Sequence, residues 1–388
     1  MARSPLFGRR IHIAGSISTD VATATAEEVS RARTLIEVLV KELLRKGATF
    51  VIPVDAEKFR SPDNQPICFD WLVWDTIHKN LPIRPADAPG PLVIAVKHHK
   101  NEEQIPEQYA QVWDALRGSD LVQIENAAHW NMNSKRMEVQ ARSGDLLIAL
   151  GGGEGVLFLA NLYHDAGKPV IPLNLKLGPP ITGAQRLFDF GLSSNYAQRL
   201  FQTEGNVPSH GWLNRIEFTA HKSAPDGARD LIELLEGLSP PRAFVIRLLN
   251  PTHADYADVQ NFFDTVIQPI IEGELGYKLT VVDGKQAYEY SRIDQEIFAK
   301  LHRSRVVLAD ITGVRPNCFL ELGYALGRGL PTMLLAKEGT DLPFDIHSLS
   351  GHRWKTIGTV EERRRAFREH WGAIKNRPPL VPTEPLIP

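Results

Sequence analysis

Apolar residues along this chain fall into two alternating rhythms. IHIAGSIS (11–18), ATFVIPV (48–54), PLVIAVK (91–97), DLVQIE (120–125), DLLIALGGGEG (145–155) and VIPLNL (170–175) contain short, nearly unbroken apolar runs. Runs of that length and continuity predict strands buried on both faces. Between them, AEEVSRARTLIEVLVKELLRKG (26–47), QYAQVWDALRGS (108–119), a segment closing with MEVQARSG (137–144) and VLFLANLYHDAGKP (156–169) place apolar residues at helical spacing. Residues 55–90, rich in Pro, Asp and Asn, read as loop with a short helix around FDWLVWDTI.

Residues 180–237 read as helical but weakly patterned, and SPP (239–241) breaks the chain. A fresh alternation follows: strand RAFVIRLL (242–249), helix YADVQNFFDTVIQPIIEGELG, strand YKLTVV and helix SRIDQEIFAKLHRS. Strand RVVLAD (305–310), a helix over 317–328, strand PTMLLA (331–336) and the charged helix VEERRRAFREHW complete it, and a proline-rich tail follows Arg377. Strand, helix and strand in alternation predict α/β architecture, with two doubly wound parallel-sheet domains in tandem. We place them at 1–237 and 242–388. Ligands of such sheets bind beyond the carboxyl ends of the strands.

Composition narrows the classes. A chain of 388 residues is too long for one ordinary core. Hydrophobic content of 43% and charged content of 23% are those of a globular protein. A formal net charge of -2 supplies no basic field for nucleic acid, and the C-terminal helix reads as solvated cover. Cys68 and Cys318 form no disulfide framework, and no Cys/His spacing suits a metal, which points to a reducing, cytoplasmic setting. MARSPLFGRRIHIAGS lacks a long apolar core, so no secretory signal is expected. No apolar run is long enough to predict a membrane span.

Two stretches carry candidate chemistry. In GGGEGV, glycines between a strand and a helix let backbone N–H groups and the positive helix end approach a phosphate. That assigns Gly152, Gly153, Glu154 and Gly155 to nucleotide binding, with Gly15, Ser16 and Ser18 after the first strand as a second cradle. The loop is neither GxGxxG with a ribose acid nor a P-loop. In NCFLELGYALGRGLP (317–331), one carboxylate, Glu321, stands among Phe319, Leu320, Leu322, Tyr324 and Leu326. Asn317 reads as the helix N-cap and Gly327, Gly329 and Pro331 as its stop. An acid in a first helical turn is also what the helix dipole alone favours. The two halves share a plan of strand, Gly-containing loop, apolar helix and Gly-x-Pro. With Gly167-Lys168-Pro169 laid on Gly329-Leu330-Pro331, Glu321 falls opposite Leu159.

On these motifs, residues 1 to about 237 resemble a SLOG domain, the superfamily of the Lonely-guy phosphoribohydrolases and DprA. Those enzymes carry a glutamate just after the glycine loop, where this chain reads Val156-Leu157-Phe158-Leu159. The departure favours a domain that binds without cutting, like the SLOG sensors associated with Sir2 and TIR effectors in bacterial antiphage defence. Residues from about 242 resemble TIR-like and nucleoside 2-deoxyribosyltransferase-like domains, on IDQEIFAKLHRSRVVLADITGVRPNCFLELGYALGRGLPTMLL and LPFDIHSL. In that superfamily the helix glutamate serves cleavage at an N-glycosidic bond, which the resemblance assigns here to Glu321.

The resemblance further implies a substrate mouth shaped by Phe244, Ile246, Arg247, Asp310, Asn317 and Phe344, with Phe344 and Asp345 closing the pocket wall. Asp294 or Asp310 would serve as second acid in a transferase. Read without the resemblance, Asp294 and Glu296 are solvated helix acids, and Asp310 suits a cap or turn equally well. The activity implied is NAD hydrolysis, with NAD as substrate, no cofactor and no metal. The partner implied is a small nucleotide signal, a cyclic ADP-ribose derivative or a cyclic nucleotide, that drives self-association. The alternatives are a nucleoside or nucleotide glycosidase or transferase, and a non-catalytic sensor.

Overall fold

The computed structural model describes residues 4–98, 102–127, 132–193, 197–218, 221–283, 292–347 and 349–374. It divides into two compact units, one reaching to Ser239 and the other starting at Pro240. In the first, strands β1 (Arg10–Ser16), β2 (Thr49–Pro53), β3 (Val93–Lys97), β4 (Val122–Asn126), β5 (Leu146–Gly151) and β6 (Val170–Leu173) form one parallel sheet in the order β4-β3-β2-β1-β5-β6. The chain builds outward from β1 to β4, then returns to the other side of β1 with β5. The order therefore reverses between β1 and β5, the position at which open parallel sheets bind ligands.

Helices α1 (Ala26–Arg45), α2 (Asp70–Lys79), α3 (Glu107–Arg117), α4 (Met132–Ser143) and α5 (Glu154–Asp165) cross between the strands. The α1 N-terminus is a capping box, in which Thr25 and Glu28 satisfy each other's backbone N–H groups. Helices α6 (Gly183–Ser193), α7 (Ala197–Leu200), α8 (Ser209–Arg215) and α9 (Ala224–Glu236) fill the weakly patterned stretch. One continuous core joins α1 and α9 to the sheet, from Leu35, Leu39 and Leu43 to Leu231 and Leu235.

In the second unit, β7 (Arg242–Ile246), β8 (Lys278–Thr280), β9 (Val306–Asp310), β10 (Thr332–Lys337) and β11 (His352–Trp354) form a parallel sheet in the order β8-β7-β9-β10-β11. Its reversal lies between β7 and β9. Alternation along β7 sends Ala243 and Val245 into one core and Phe244 and Ile246 into another. The first core takes in α10 (Tyr256–Phe262) and the second takes in α11 (Ile293–His302) and α12 (Pro316–Gly327). The short helix α13 (Phe344–His347) precedes β11, and α14 (Val360–Ile374) lies beyond it, with Phe367 and Trp371 in the first core.

Two sequence expectations change here. The stretch after Tyr256 is not one regular helix. Beyond Phe262 the chain winds as π-helix through Phe263–Ile267 and Pro269–Glu274. Pro269 has no N–H to donate to an α-helical ladder, so the bonds around it re-space. The α12 helix starts one residue early, with Arg315 as N-cap, no side-chain cap bond and Pro316 in its first turn. Proline suits that position because its fixed φ is already helical and its missing N–H would be unpaired anyway. Asn317 is therefore inside the helix.

Candidate functional site

Glu321 lies beyond the first turn of α12, which contains no acidic residue. The helix dipole fades within that turn. Cys318 and Leu322, on the buried side of α12, enter the same core as Phe244 and Ile246. The Cys318 thiol points to the Arg247 carbonyl at 3.9 Å. The first turn of α12 is thus placed at the end of β7, beside the reversal of the sheet, and Glu321 follows in the next turn.

Glu321 is half-buried, and no hydrogen bond or ion pair joins it to a described residue. Loss of hydration pushes its carboxyl up to about 7, with no neighbouring cation to hold it down. Burial and then the Glu321 charge push the Cys318 thiol up to about 11, so the thiol stays protonated and unreactive. The helix itself is held firmly. Tyr324 meets Phe298 of α11 with ring centroids 5.0 Å apart, and its hydroxyl lies 2.8 Å from His302 Nδ1. Arg328 reaches His302 Nε2 at 3.2 Å. Arginine can only donate, so Nε2 accepts and Nδ1–H donates to the tyrosine oxygen.

The other residues expected at the substrate mouth separate into groups. Phe244 and Ile246 are 1% exposed and form the floor under α12. Arg247 follows β7 directly, half-buried, with its guanidinium 5.0 Å from the centre of the Phe263 ring and its Nε without a partner among the described residues. Burial lowers its pKa, yet an arginine keeps its charge. Asp310 is fully buried: Oδ1 accepts from the Thr312 N–H at 2.9 Å and Oδ2 from Trp354 Nε1 at 2.7 Å. Those bonds pull its pKa down less than burial raises it.

Asn317 is exposed on α12, and Phe344 is 91% exposed. Asp345 is exposed, Asp294 pairs with Arg292 beside it, and neither is brought to Glu321 by a described contact. Glu296, read from sequence as solvated, is 0% exposed and ion-paired with Lys300 at 2.6 Å. Its helix packs on α12, and one turn of spacing lets the lysine stem cover it.

In the first unit the glycine loop lies against the end of β1. Ser16 pairs with Gly151 in register, and the Gly152 N–H donates to Ser16 O at 2.8 Å. Gly152 has φ +72, and a Cβ there would run into Val156. A Cβ on Gly15 would strike the Leu150 carbonyl oxygen, so only glycine allows this approach of the strands. Two expected donors are engaged within the protein: Gly152 as above, and Ser18, whose N–H donates to Leu177 O at 2.6 Å. The N–H groups of Gly153, Glu154 and Gly155 have no partner among the described residues and open α5. Glu154 is exposed, with Thr182 Oγ1 at 3.4 Å.

Sequence reasoning missed what holds the β1 loop. Arg60, 1% exposed, donates to Ala24 O at 2.7 Å and Ser18 O at 3.2 Å while paired with Asp63. A lone arginine in a loop-like stretch gives no signal of such a role.

Residues 6–235 match the family described as ATP nucleosidase Cap17-like, N-terminal. The chain belongs to that family. The matched span covers the β1 and β5 loops and ends inside α9. No curated protein is similar enough to count as a match.

Proposed function

We propose that the chain cleaves the N-glycosidic bond of a nucleotide, with Glu321 as the working carboxylate and NAD as substrate. The observation that carries this reading is a partnerless, half-buried glutamate beside the reversal point of a parallel sheet. In NAD the leaving nicotinamide is already cationic. It departs with the C1′–N electron pair and needs no added proton, and water then adds at C1′. The ribose left behind is oxocarbenium-like. A carboxylate in a poorly hydrated cleft stabilises that charge better than one in water. Arg247, at the same strand end, supplies a cation for the pyrophosphate.

The name of the family favours a second substrate, ATP. Adenine leaves as a neutral base only when protonated, and a carboxyl near 7 can give that proton. In this reading the first unit holds a nucleotide signal on the N–H groups of Gly153, Glu154 and Gly155. Its binding promotes self-association and switches on an antiphage response that depletes the nucleotide.

The test is turnover by the purified chain, with nicotinamide measured from NAD and adenine from ATP. Glu321→Gln is expected to lower nicotinamide release on the order of 100-fold or more. Nicotinamide release unmoved by that change would remove Glu321 from the reaction.

A further inference from the structure

A cavity of about 370 Å³ opens in the first unit, and no residue of the β1 loop or the glycine loop lines it. The α1 helix forms one wall, with Arg31, Thr34 and Leu35. The chain between α8 and α9 forms another, with Phe218, His221 and Lys222, and the start of α9 adds Ala224. Leu175, just beyond β6, also lines it. The volume is that of a small-molecule pocket, for which about 300–1,000 Å³ is usual.

The walls are fixed by the protein's own contacts. The Phe218 N–H donates to Asn174 Oδ1 at 2.9 Å. A Cβ on Gly227 of α9 would lie 2.5 Å from Phe218 Cε1 and 3.3 Å from Leu35 Cδ1, so this glycine leaves the room in which the ring meets α1. Lys222 is ion-paired with Asp230 at 2.6 Å and donates to Arg215 O at 2.5 Å. Its ammonium also lies 5.5 Å from the centre of the Phe218 ring. A ligand entering here therefore orders little of the chain, which favours affinity.

The lining has one chemical bias. Arg31, His221 and Lys222 all border the cavity, and no carboxylate does. Asp230 takes up the charge of Lys222, whereas His221 is exposed and no hydrogen bond or ion pair joins it to a described residue. In the first turn of α9 the Asp226 N–H donates to Ser223 Oγ at 3.2 Å, Pro225 has no N–H, and the Ala224 N–H has no partner among the described residues. The Asp226 carboxylate is engaged by Ser223 and Arg229. Phe218, Leu35 and Leu175 supply apolar surface beside these donors. We propose that the cavity binds a small organic phosphate with a ring body. Its phosphate meets Arg31 from one wall and His221 and the Ala224 N–H from the other, and its ring lies against Phe218. Donors on two walls suit a phosphate, which offers three acceptor oxygens where a carboxylate offers two. This site depends neither on Glu321 nor on the glycine loop.

The test gives the full chain 1-naphthyl phosphate and measures binding by equilibrium dialysis. Binding is expected. Thr34→Trp, which places a large ring in the cavity from an exposed helix position, is expected to remove it. Arg31→Ala and His221→Ala are each expected to weaken it about tenfold, the loss of one charge-assisted hydrogen bond. Gly152→Ala, at the glycine loop, is expected to leave it nearly unchanged. No binding at about 1 mM probe overturns the proposal. So does binding that Thr34→Trp retains, or binding that Gly152→Ala removes, which places the probe on the glycine loop. If the Thr34→Trp protein does not fold, the double variant Arg31→Ala, His221→Ala decides, and an affinity equal to that of the unaltered chain overturns the proposal.

Discussion

Glu321 and Asp310 are both acids withdrawn from water, and they differ in what surrounds them. Asp310 has two donors and no exposure, so its carboxylate ties β9 to β11 through Trp354. Asn at that position would turn an NH₂ toward one of two buried donors. Asp310→Asn is expected to cost about 2–4 kcal/mol in chemical denaturation. Glu321 has no donor, so its ionised form is the strained one. Its folded pKa of about 7 lies above the ordinary 4.5. Between those two values the folded protein binds the extra proton, so its stability falls as pH rises through that window. Glu321→Gln is therefore expected to raise the melting temperature at pH 8 and leave it nearly unchanged at pH 4. The gain is on the order of 1–2 kcal/mol, once partial exposure is allowed for. The catalytic pH profile has its own sign. Nicotinamide release that needs the carboxylate falls below about pH 7, whereas adenine release that needs the acid falls above it.

Strand, loop and helix are used twice, at corresponding places in the two sheets. In each unit the strand next to the first strand across the reversal leads into the helix that carries the candidate site. Both helices end alike: Lys168 N–H donates to Tyr163 O at 2.9 Å, and Leu330 N–H to Ala325 O at 3.0 Å. These are the six-to-one bonds of a Schellman stop, and they confirm the alignment that sets Glu321 opposite Leu159. Leu159 is 4% exposed core, so the first unit's helix contributes packing where the second contributes an acid. The glycine loop depends on conformation that side chains oppose. Gly152→Ala is expected to cost about 1–3 kcal/mol and to weaken nucleotide binding, read by thermal melting and dialysis.

At the scale of the protein, two units each have a core of their own, and among the described residues no helix is long and apolar enough to cross a membrane. A nucleotide can switch the chain only through a state that it binds more tightly than the resting one. In the function proposed above that state is a self-associated one, and light scattering is then expected to show larger particles when an activating cyclic nucleotide is added. Particle size unchanged across a panel of such nucleotides would exclude ligand-driven assembly.

Strand and helix positions could be read from the chain because parallel strands covered on both sides demand continuous apolar runs, and crossing helices demand a repeat of 3.6. DLLIAL and RVVLAD follow the first rule, and AEEVSRARTLIEVLVKELLRKG the second. The glycine loop and Glu321 were legible for the opposite reason, since each breaks the local pattern. Folding alone settled which acids stay charged and which are held by donors. Glu296 carries a solvated-looking signature yet is 0% exposed and ion-paired with Lys300 one turn on. Asp310 becomes a structural bond only when β11 brings Trp354 to it. Asp55, Glu57 and Asp70 fall in a loop-like stretch and Arg136 lies in α4, 81 residues beyond Asp55, so no local spacing links them. They meet because a parallel sheet gathers the ends of distant strands at one edge, and a carboxyl's proton affinity depends on what it meets there.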